Sequence, residues 1–410
     1  MNRWRWRAGN RVRLLENGEE FFPRVFECIA AARQEVIIET FILFEDEVGR
    51  QLQEVITAAA RRGVRVELTV DGYGSEGLSP EFIRDMQDAG VELHMFEPGK
   101  RLLGNRINIF RRLHRKVVVI DRSLGFVGGI NYSVDHLVSG GAKSKQDYAV
   151  EVEGPVVADL HALASSLPHN DRPRLPSRRW WQYWRRRETT AVASESVGGA
   201  RVLLASRDNQ AHRDDIERLY RIAIRTARQR VLIANAYFFP GYRLIRDLRM
   251  AARRGVEVTL IMQGNPDMPF VRFLTTTLYA HLARAGVQIH EYCERPMHAK
   301  VALVDEDWST VGSSNLDPLS LALNLEANLF IQSREFNAQL HANLEALMRD
   351  RCQQLDAEEL RRPRLASLVL GYIAYHATRR FPGLIRALPA SPPNREALTA
   401  TRTPLAGEPH

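Results

Sequence analysis

The stretch His114-Arg-Lys-Val-Val-Val-Ile-Asp121 decides the fold, because it returns later in the chain as His298-Ala-Lys-Val-Ala-Leu-Val-Asp305. Each copy is followed, at the same distance, by a glycine-containing segment that ends in asparagine: Gly128-Gly-Ile-Asn131 in the first copy and Gly312-Ser-Ser-Asn315 in the second. A single H-x-K-x4-D pattern arises by chance in about one chain in twenty of this length, so one copy would be weak evidence. Two copies with the same continuation indicate a duplicated unit.

Three further pairs of segments repeat in the same order as the motif. Residues 36–44 correspond to 231–239, residues 59–64 to 251–256, and residues 89–91 to 285–287. In each half, helical patterns alternate with strands, which is typical of an α/β fold. We therefore predict two duplicated α/β domains related by a pseudo-twofold axis, with one shared active site at their junction.

Charge is unevenly distributed along the 410 residues. The net charge is +8, but residues 1–13, 172–187 and 361–386 contain eighteen arginines and no acidic residue, which leaves −10 for the rest. From these shifts in composition we predict a first repeat domain over 1–166, a basic Trp/Arg-rich linker over 167–199, a second repeat domain over 200–355, and a basic, apolar, membrane-associating tail over 356–410 with a disordered end.

Tryptophan accompanies arginine, since five of the six Trp residues lie in the first two basic segments. Indole and guanidinium together suit a lipid headgroup layer or a nucleic acid, and a third interpretation is a solvated basic surface. No apolar run approaches the ~20 residues of a spanning helix, so we expect a peripheral protein. We expect it to bind a membrane surface, and no nucleic acid, through Trp4, Trp6, Trp180, Trp181, Trp184, Arg379 and Arg380.

The residue types of the motif indicate phosphoryl chemistry. Histidine can act as a nucleophile and as a general acid or base near neutral pH. Lysine and asparagine are donors that fit the unesterified oxygens of a phosphodiester and the added charge of its transition state. Lysine is no ordinary metal ligand and no cluster has metal-site spacing, so we expect neither a metal nor another cofactor. One histidine on each side of the phosphorus would allow two in-line displacements through a phosphohistidine.

The two motifs resemble those of the phospholipase D superfamily, and the resemblance covers nearly the whole chain. Within it, the sequence looks most similar to bacterial cardiolipin synthases of the B type. This likeness rests on Phe110-Arg-Arg-Leu-His-Arg-Lys116, His212-Arg-Asp-Asp-Ile-Glu217, Asn235-Ala-Tyr-Phe-Phe-Pro-Gly-Tyr-Arg243, Gly312-Ser-Ser-Asn-Leu-Asp-Pro-Leu-Ser320 and Asn324-Leu-Glu326. The resemblance implies that each of the two domains is a mixed sheet flanked by helices. It also implies phosphatidyl transfer between two phosphatidylglycerol molecules, giving cardiolipin and glycerol, on the cytoplasmic face of the bacterial inner membrane.

The resemblance further implies a role for each matching residue. His114 would be the nucleophile and His298 the acid and base, and Asp147 and Glu326 would orient the two imidazoles. The phosphate would be held by Lys116, Lys300, Asn131, Asn315 and Ser313. Two aspartates complete the catalytic motifs in a structural or supporting role: Asp121 and Asp305. Phosphatidylglycerol and other anionic phospholipids are the expected partners, and a duplicated chain can complete its site without oligomerising.

Two other functions remain open at this point. A hydrolase, either a phospholipase D or a nuclease, would use the same centre with water as the acceptor. A non-enzymatic module that binds membrane or nucleic acid would carry the motifs as remnants, and two intact copies argue against it. Aliphatic residues in a basic insertion before the first motif favour lipid over nucleic acid: Leu102, Leu103, Ile107 and Phe110.

Overall fold

The computed structural model describes residues 4–97, 101–102, 105–106, 112–167, 195–208, 211–264, 278–317, 324–355 and 395–398. In the first half, the strands of the large sheet are β1 (Arg7–Glu16), β2 (Glu35–Thr40), β3 (Arg65–Asp71), β4 (Glu92–Phe96), β7 (Lys116–Ile120), β8 (Leu124–Gly128) and β9 (Tyr148–Glu153). The short strands β5 (Arg101–Leu102) and β6 (Asn105–Arg106) pair with each other. The helices of this half are α1 (Asn17–Ala31), α2 (Glu47–Arg61), α3 (Pro80–Asp88) and α4 (Val157–Ala164).

The second half contains a corresponding set of elements. Its strands are β10 (Ala200–Arg207), β11 (Arg230–Asn235), β12 (Glu257–Gln263), β13 (Gln288–Tyr292), β14 (Lys300–Val304), β15 (Trp308–Gly312) and β16 (Glu326–Gln332). Two edge strands follow, β17 (Cys352–Gln354) and β18 (Arg395–Ala397). The helices are α5 (Asp215–Thr226), α6 (Tyr242–Arg253) and α7 (Arg334–Arg351).

The strand order of the large sheet repeats in both directions from its centre. In the first half it runs β1-β9-β8-β7-β2-β3-β4, and in the second β10-β16-β15-β14-β11-β12-β13. The central strands β1 and β10 pair antiparallel, which is the arrangement that a twofold axis between them produces. Strands β2, β3 and β4 are parallel and β2 is antiparallel to β7, so the sheet is mixed. The predicted α/β fold, with two repeated units, is confirmed.

Alternate residues of β7 face two different cores, as the period of a strand requires. Val118 packs in a core beneath α1, α2 and α3, whereas Val117 packs in a second core that contains residues of both halves. The corresponding strand β14 does the same, with Val301 in the shared core and Ala302 in the core of the second half. The two halves of the sheet therefore pack face to face, and this packing brings the beginnings of β7 and β14 together.

The aspartate of each motif anchors the fold at the opposite end of these strands. The Asp121 carboxylate accepts the backbone N–H groups of Arg33, Gln34 and Glu35 at 2.7–3.0 Å, at the start of β2. Asp305 accepts the corresponding N–H groups of residues 228–230 at 2.8–3.2 Å. Both aspartates adopt a positive φ of 50°, a left-handed conformation that Asp and Asn tolerate better than most residues.

The N-terminal tryptophans, for which we predict membrane contact, pack partly against the protein. Strand β1 pairs with β10 at Arg7 and Val202, and this pairing lays the preceding residues over the second half of the molecule. Trp4 and Trp6 are partly buried against the core that α5 and α6 cover. The remaining predicted membrane contacts lie outside the described residues, with most of the linker and tail: Trp180, Trp181, Trp184, Arg379 and Arg380.

Among the described residues, no helix has the length and apolarity that a membrane crossing requires.

Candidate active site

The segment that carries the first motif histidine lies against the second half of the molecule. Leu113 and Leu325 form an isolated parallel bridge, immediately before β7 and β16. The His114 N–H donates to the Leu325 carbonyl at 3.0 Å, and the Leu325 N–H donates to the Arg112 carbonyl at 2.8 Å. Because these backbone hydrogen bonds join the two halves, the position of His114 depends on both.

The second motif histidine is held by the same arrangement with the two halves exchanged. Gln146 and Met297 form the corresponding parallel bridge, before β9 and β14. The His298 N–H donates to the Gln146 carbonyl at 2.8 Å, and the Gln146 N–H donates to the Pro296 carbonyl at 2.9 Å. Each histidine segment is thus held by backbone hydrogen bonds to the other half of the molecule.

Each imidazole contacts a carboxylate from the other half. His114 Nδ1 lies 3.0 Å from the carboxylate of Glu326, and His298 Nδ1 lies 2.6 Å from Oδ2 of Asp147. Both carboxylate side chains are fully buried. A carboxylate on Nδ1 fixes the tautomer of a neutral imidazole with its proton on Nδ1, so Nε2 keeps a lone pair for chemistry. Glu326 and Asp147 are the two residues that the sequence placed in this role.

The motif lysines lie beside the histidines that precede them. Lys116 Nζ donates to the carbonyl of His114 at 2.6 Å, and Lys300 Nζ donates to the carbonyl of His298. Burial lowers the pKa of Lys116 to about 7 and that of Lys300 to about 8. The charges of Glu326 and Asp147 act against this decrease, whereas neighbouring lysine charges add to it. An anion between the two halves would offset this penalty, because it would interact favourably with both ammonium groups.

Burial also favours the neutral form of both imidazoles. Burial lowers the pKa of His114, and the negative charge of Glu326 partly offsets this decrease. It lowers the pKa of His298 well below the ordinary value, and the charges of Lys300, Lys145 and Lys116 add to that effect. The charges that act on His298 include groups of both halves, so the two half-sites form one electrostatic unit.

Comparison with known proteins identifies the family to which this arrangement belongs. A family model described as "Cardiolipin synthase, PLD-like domain" matches residues 25–162 and 220–348. The chain belongs to this family. It is 52% identical over 390 residues to cardiolipin synthase B of Salmonella typhi, covering 95% of this chain and 92% of that protein. It is 51% identical over 389 residues to cardiolipin synthase B of Escherichia coli K12, again covering 95% and 92%. The resemblance found in the sequence is confirmed.

More distant relatives support the same family and fold. Cardiolipin synthase A of Pseudomonas aeruginosa strain LESB58 is 35% identical over 348 residues, which are 83% of this chain and 67% of that protein. The crystal structure of phosphatidylserine synthase from Haemophilus influenzae Rd KW20 superposes with a TM-score of 0.68, over 95% of this chain and 98% of that one. Polyphosphate kinase from Porphyromonas gingivalis gives a TM-score of 0.55, over 90% and 53%. Both structures are 15% identical to this chain, so they show the fold alone.

The asparagines after each motif lie at the point where the strands end. The repeated segments 36–44 and 231–239 are strand only in their first part, because the chain leaves the sheet after Thr40 and Asn235. Asn131 Oδ1 accepts the N–H of Ile42 at 3.1 Å. This contact orients the Asn131 side-chain amide with its oxygen toward the backbone. Asn315 is buried, and its Oδ1 has no hydrogen-bond partner among the described residues.

Ser313 has a different contact from the one predicted. We expected this residue to bind the phosphate, but its hydroxyl donates to Oε2 of Glu326 at 2.5 Å and accepts the N–H of Ala327 at 3.1 Å. Its side chain is therefore occupied in holding the carboxylate that orients His114. The first half has Gly129 at this position, where a Cβ atom would lie 2.3 Å from Oδ1 of Asp147.

A third histidine belongs to the site, and no sequence pattern predicted it. His136 is fully buried beside Asp147, with its Nδ1 3.8 Å from Oδ2 of that carboxylate. Its Nε2 accepts the N–H of Asn131 at 3.2 Å, which places the ring proton on Nδ1, toward the carboxylate. Its ring meets that of His298 edge to face at 5.5 Å, and burial lowers its pKa well below the ordinary value.

His136, Asp147 and His298 form the one group among the described residues whose ligand atoms could hold a metal ion, since these atoms lie within 4.8 Å of one another. The Asp147 carboxylate is already hydrogen-bonded to Nδ1 of His298 at 2.6 Å, and Nε2 of His136 already accepts the N–H of Asn131. A metal ion would have to replace the proton on His298 Nδ1, so the arrangement is explained better as a hydrogen-bonded network than as a metal site.

Proposed function

We propose that the chain is a cardiolipin synthase that transfers a phosphatidyl group from one phosphatidylglycerol to another, releasing glycerol. The observation that carries this proposal is the exchange of carboxylates between halves, which gives two oriented imidazoles, His114 and His298, beside two buried lysines. Family membership and the cardiolipin synthase relatives supply the reaction class. Phosphatidyl transfer needs one nucleophile, one acid and base, and donors for the phosphate oxygens, and the site contains each.

The first half-reaction forms a covalent intermediate on the enzyme. Nε2 of His114 attacks the phosphorus of the donor lipid, while the bond from phosphorus to the glycerol oxygen breaks. The negative charge of the bound phosphate raises the pKa of His298, and the imidazolium that forms gives its Nε2 proton to that leaving oxygen, so that glycerol departs. Glu326 stabilises the positive charge that develops on the attacking ring, as a carboxylate on Nδ1 does in other histidine-dependent sites.

The second half-reaction repeats these events in reverse. A hydroxyl of the second phosphatidylglycerol gives its proton to Nε2 of His298 and attacks the phosphorus, and the bond from phosphorus to His114 Nε2 breaks. Lys116 and Lys300 would stabilise the charge on the phosphate oxygens in both transition states, and Asn131 would donate from Nδ2. Burial lowers the pKa of both lysines, and the negative charge of a bound phosphate would raise it again and so favour the charged ammonium form.

The proposed substrate places the protein at a membrane surface. We assign it to the cytoplasmic face of the bacterial inner membrane as a peripheral protein, attached through the basic segments at 172–187 and 361–386 to phosphatidylglycerol and other anionic lipids. Flotation with phosphatidylglycerol vesicles that falls steeply with salt is expected. Equal flotation with neutral vesicles in high salt would contradict the electrostatic part of this assignment.

Product analysis tests the proposed reaction. Purified protein incubated with phosphatidylglycerol vesicles should give cardiolipin and glycerol in equal amounts, measured by mass spectrometry and an enzymatic glycerol assay. His114→Ala and His298→Ala should each abolish both products. Phosphatidic acid as the sole lipid product would mean that water is the acceptor, and the protein would then be a phospholipase D.

A further inference from the structure

A third lysine lies beside the second half-site. Residues 145–147 run extended next to the segment of His298, and alternate side chains of an extended segment point to opposite sides. Asp147 points to His298, with 2.6 Å between the carboxylate and Nδ1. Gln146 points the other way, where its amide donates to Glu16 at 2.6 Å. Lys145, two residues before Asp147, is therefore on the side of the active site.

The ammonium of Lys145 is held at the rim of the site and remains accessible to solvent. Its Nζ lies 3.1 Å from Oδ2 of Asp135, and the exposed fraction of the lysine side chain is 21%. The segment itself is fixed by Arg295, which donates to Ser144 at 3.0 Å and to Gln146 at 2.6 Å. Lys116 and Lys300 are buried, whereas Lys145 can meet a ligand that extends outward from the centre.

The other half-site has no cation at the corresponding position. Asn324 stands two residues before Glu326, as Lys145 stands two residues before Asp147. Its amide donates to Glu326 at 3.4 Å, which shows that this position faces the site. The pseudo-twofold axis therefore relates a cation beside His298 to a neutral amide beside His114. The charge of Lys145 acts on its own half-site, where it lowers the pKa of His298, His136 and Lys300.

We propose that Lys145 binds the phosphate of the acceptor phosphatidylglycerol. The inference rests on the proposed function, because the acceptor then carries a phosphodiester of its own, three carbons from the attacking hydroxyl. His298 takes the proton of that hydroxyl, so the acceptor phosphate lies on the His298 side of the reacting phosphorus. Water and neutral alcohols lack this second phosphate. Lys145 therefore selects an anionic lipid acceptor over either of them for the same phosphohistidine.

Competition between two acceptors for the phosphatidyl-His114 intermediate tests the proposed contact between Lys145 and the acceptor phosphate. Protein is incubated with phosphatidylglycerol in detergent micelles that also contain ethanol, so that phosphatidyl-His114 forms either cardiolipin or phosphatidylethanol. Lys145→Gln should lower the ratio of cardiolipin to phosphatidylethanol about tenfold, which corresponds to ~1.4 kcal/mol. Lys145→Arg should keep most of the wild-type ratio. The ratio does not depend on how much protein is folded, because both products arise from one intermediate.

Two further variants separate a binding role from a structural one. If the ion pair only braces the loop, Asp135→Asn should lower the ratio as much as Lys145→Gln. If Lys145 binds the acceptor, Asp135→Asn should keep or raise it. Arg7→Gln is the matched control, because Arg7 also pairs with an aspartate at 21% exposure but lies at the far end of β1. It should leave the ratio unchanged.

The outcomes distinguish this inference from the function on which it rests. Wild-type protein that forms phosphatidylethanol but no cardiolipin would overturn the proposed function and this inference with it. Wild-type protein that forms both products, with the same ratio in Lys145→Gln, would overturn the role of Lys145 alone. An equal loss in Lys145→Gln and Asp135→Asn would also overturn it.

Discussion

The two half-sites share a scaffold and differ in what surrounds their carboxylates. At His114, Glu326 accepts a hydrogen bond from the hydroxyl of Ser313 at 2.5 Å. At His298, Asp147 faces the imidazole of His136, and the serine position is taken by Gly129, where a Cβ atom would clash with Asp147. A duplicated fold therefore supplies two histidines of similar geometry, and the residues behind them make the environments unequal. We interpret this inequality as the basis of different roles for the two histidines.

Replacing the carboxylates should have the largest effect on this comparison. In Glu326→Gln or Asp147→Asn, an amide can donate to Nδ1 and move the imidazole proton to Nε2, so each change should lower turnover by roughly 10³-fold or more. Glu326→Gln should block release of the first leaving group whatever its acidity, whereas Asp147→Asn should slow release of glycerol, which needs the acid His298, but not of p-nitrophenol, which needs no acid. Single-turnover release of glycerol, and of p-nitrophenol from the corresponding phosphatidyl ester, measures the difference. Identical defects in both variants would show that the half-sites are equivalent.

The groups behind the carboxylates should have smaller and separate effects. Ser313→Ala removes a hydrogen bond to an ionised group and should slow formation of the intermediate about tenfold. His136→Asn should slow glycerol release by a similar factor, because it weakens the support of the acid His298, and should leave the burst of p-nitrophenol from a phosphatidyl ester little changed. Rapid-quench kinetics measure the release of both leaving groups. A purely structural role for His136 predicts that both leaving groups are released more slowly, and that result would remove it from the mechanism.

The lysines should make anion binding depend on pH. The pKa of Lys300 is lowered to about 8 and that of Lys116 to about 7, so both gain charge as the pH falls through this range. The inhibition constant of sulfate, which stays a dianion throughout, should decrease between pH 9 and pH 6.5, by up to about tenfold per pH unit for each titrating lysine. Lys300→Gln should remove the step near pH 8. A flat profile in the wild-type protein would contradict the assigned charges.

The motif aspartates should have the smallest effect on chemistry and an equal effect in both halves. Asp121 and Asp305 each accept backbone N–H groups at the start of a strand, far from the histidines. Asp121→Asn and Asp305→Asn should each lower the free energy of unfolding by ~1–3 kcal/mol, with little change in turnover of the folded protein. Thermal unfolding and specific activity measure the two quantities. Loss of turnover without loss of stability would instead place these residues in the reaction.

The sequence predicted the features that duplication repeats. The motif residues, the helix and strand order and the two carboxylates after the motifs recur in both halves, and a repeated pattern can be recognised without coordinates. Their spacing could not show that each carboxylate serves the histidine of the other half. That exchange depends on face-to-face packing of the two halves, a long-range property of the sheet.

The features that differ between the halves could not be predicted from the sequence. His136 has no repeated partner, and a single histidine in a loop carries no pattern. Ser313 was assigned to phosphate because its position follows a catalytic motif, whereas its hydroxyl is occupied by Glu326. Trp4 and Trp6 are predicted from composition to contact a membrane, and the pairing of β1 with β10 adds a partial contact with a core. In each case the structure adds a tertiary contact that local sequence does not encode.

Trapping the covalent intermediate tests the central claim most directly. A phosphatidyl ester of p-nitrophenol needs no acid to release its leaving group, so His298→Ala should release one equivalent of p-nitrophenol rapidly and then stall. Peptide mass spectrometry at neutral to alkaline pH should find the phosphatidyl group on the peptide that contains His114, and His114→Ala should give neither burst nor adduct. An adduct on His298 in the His114→Ala variant, with none on His114 in the other, would contradict the assignment.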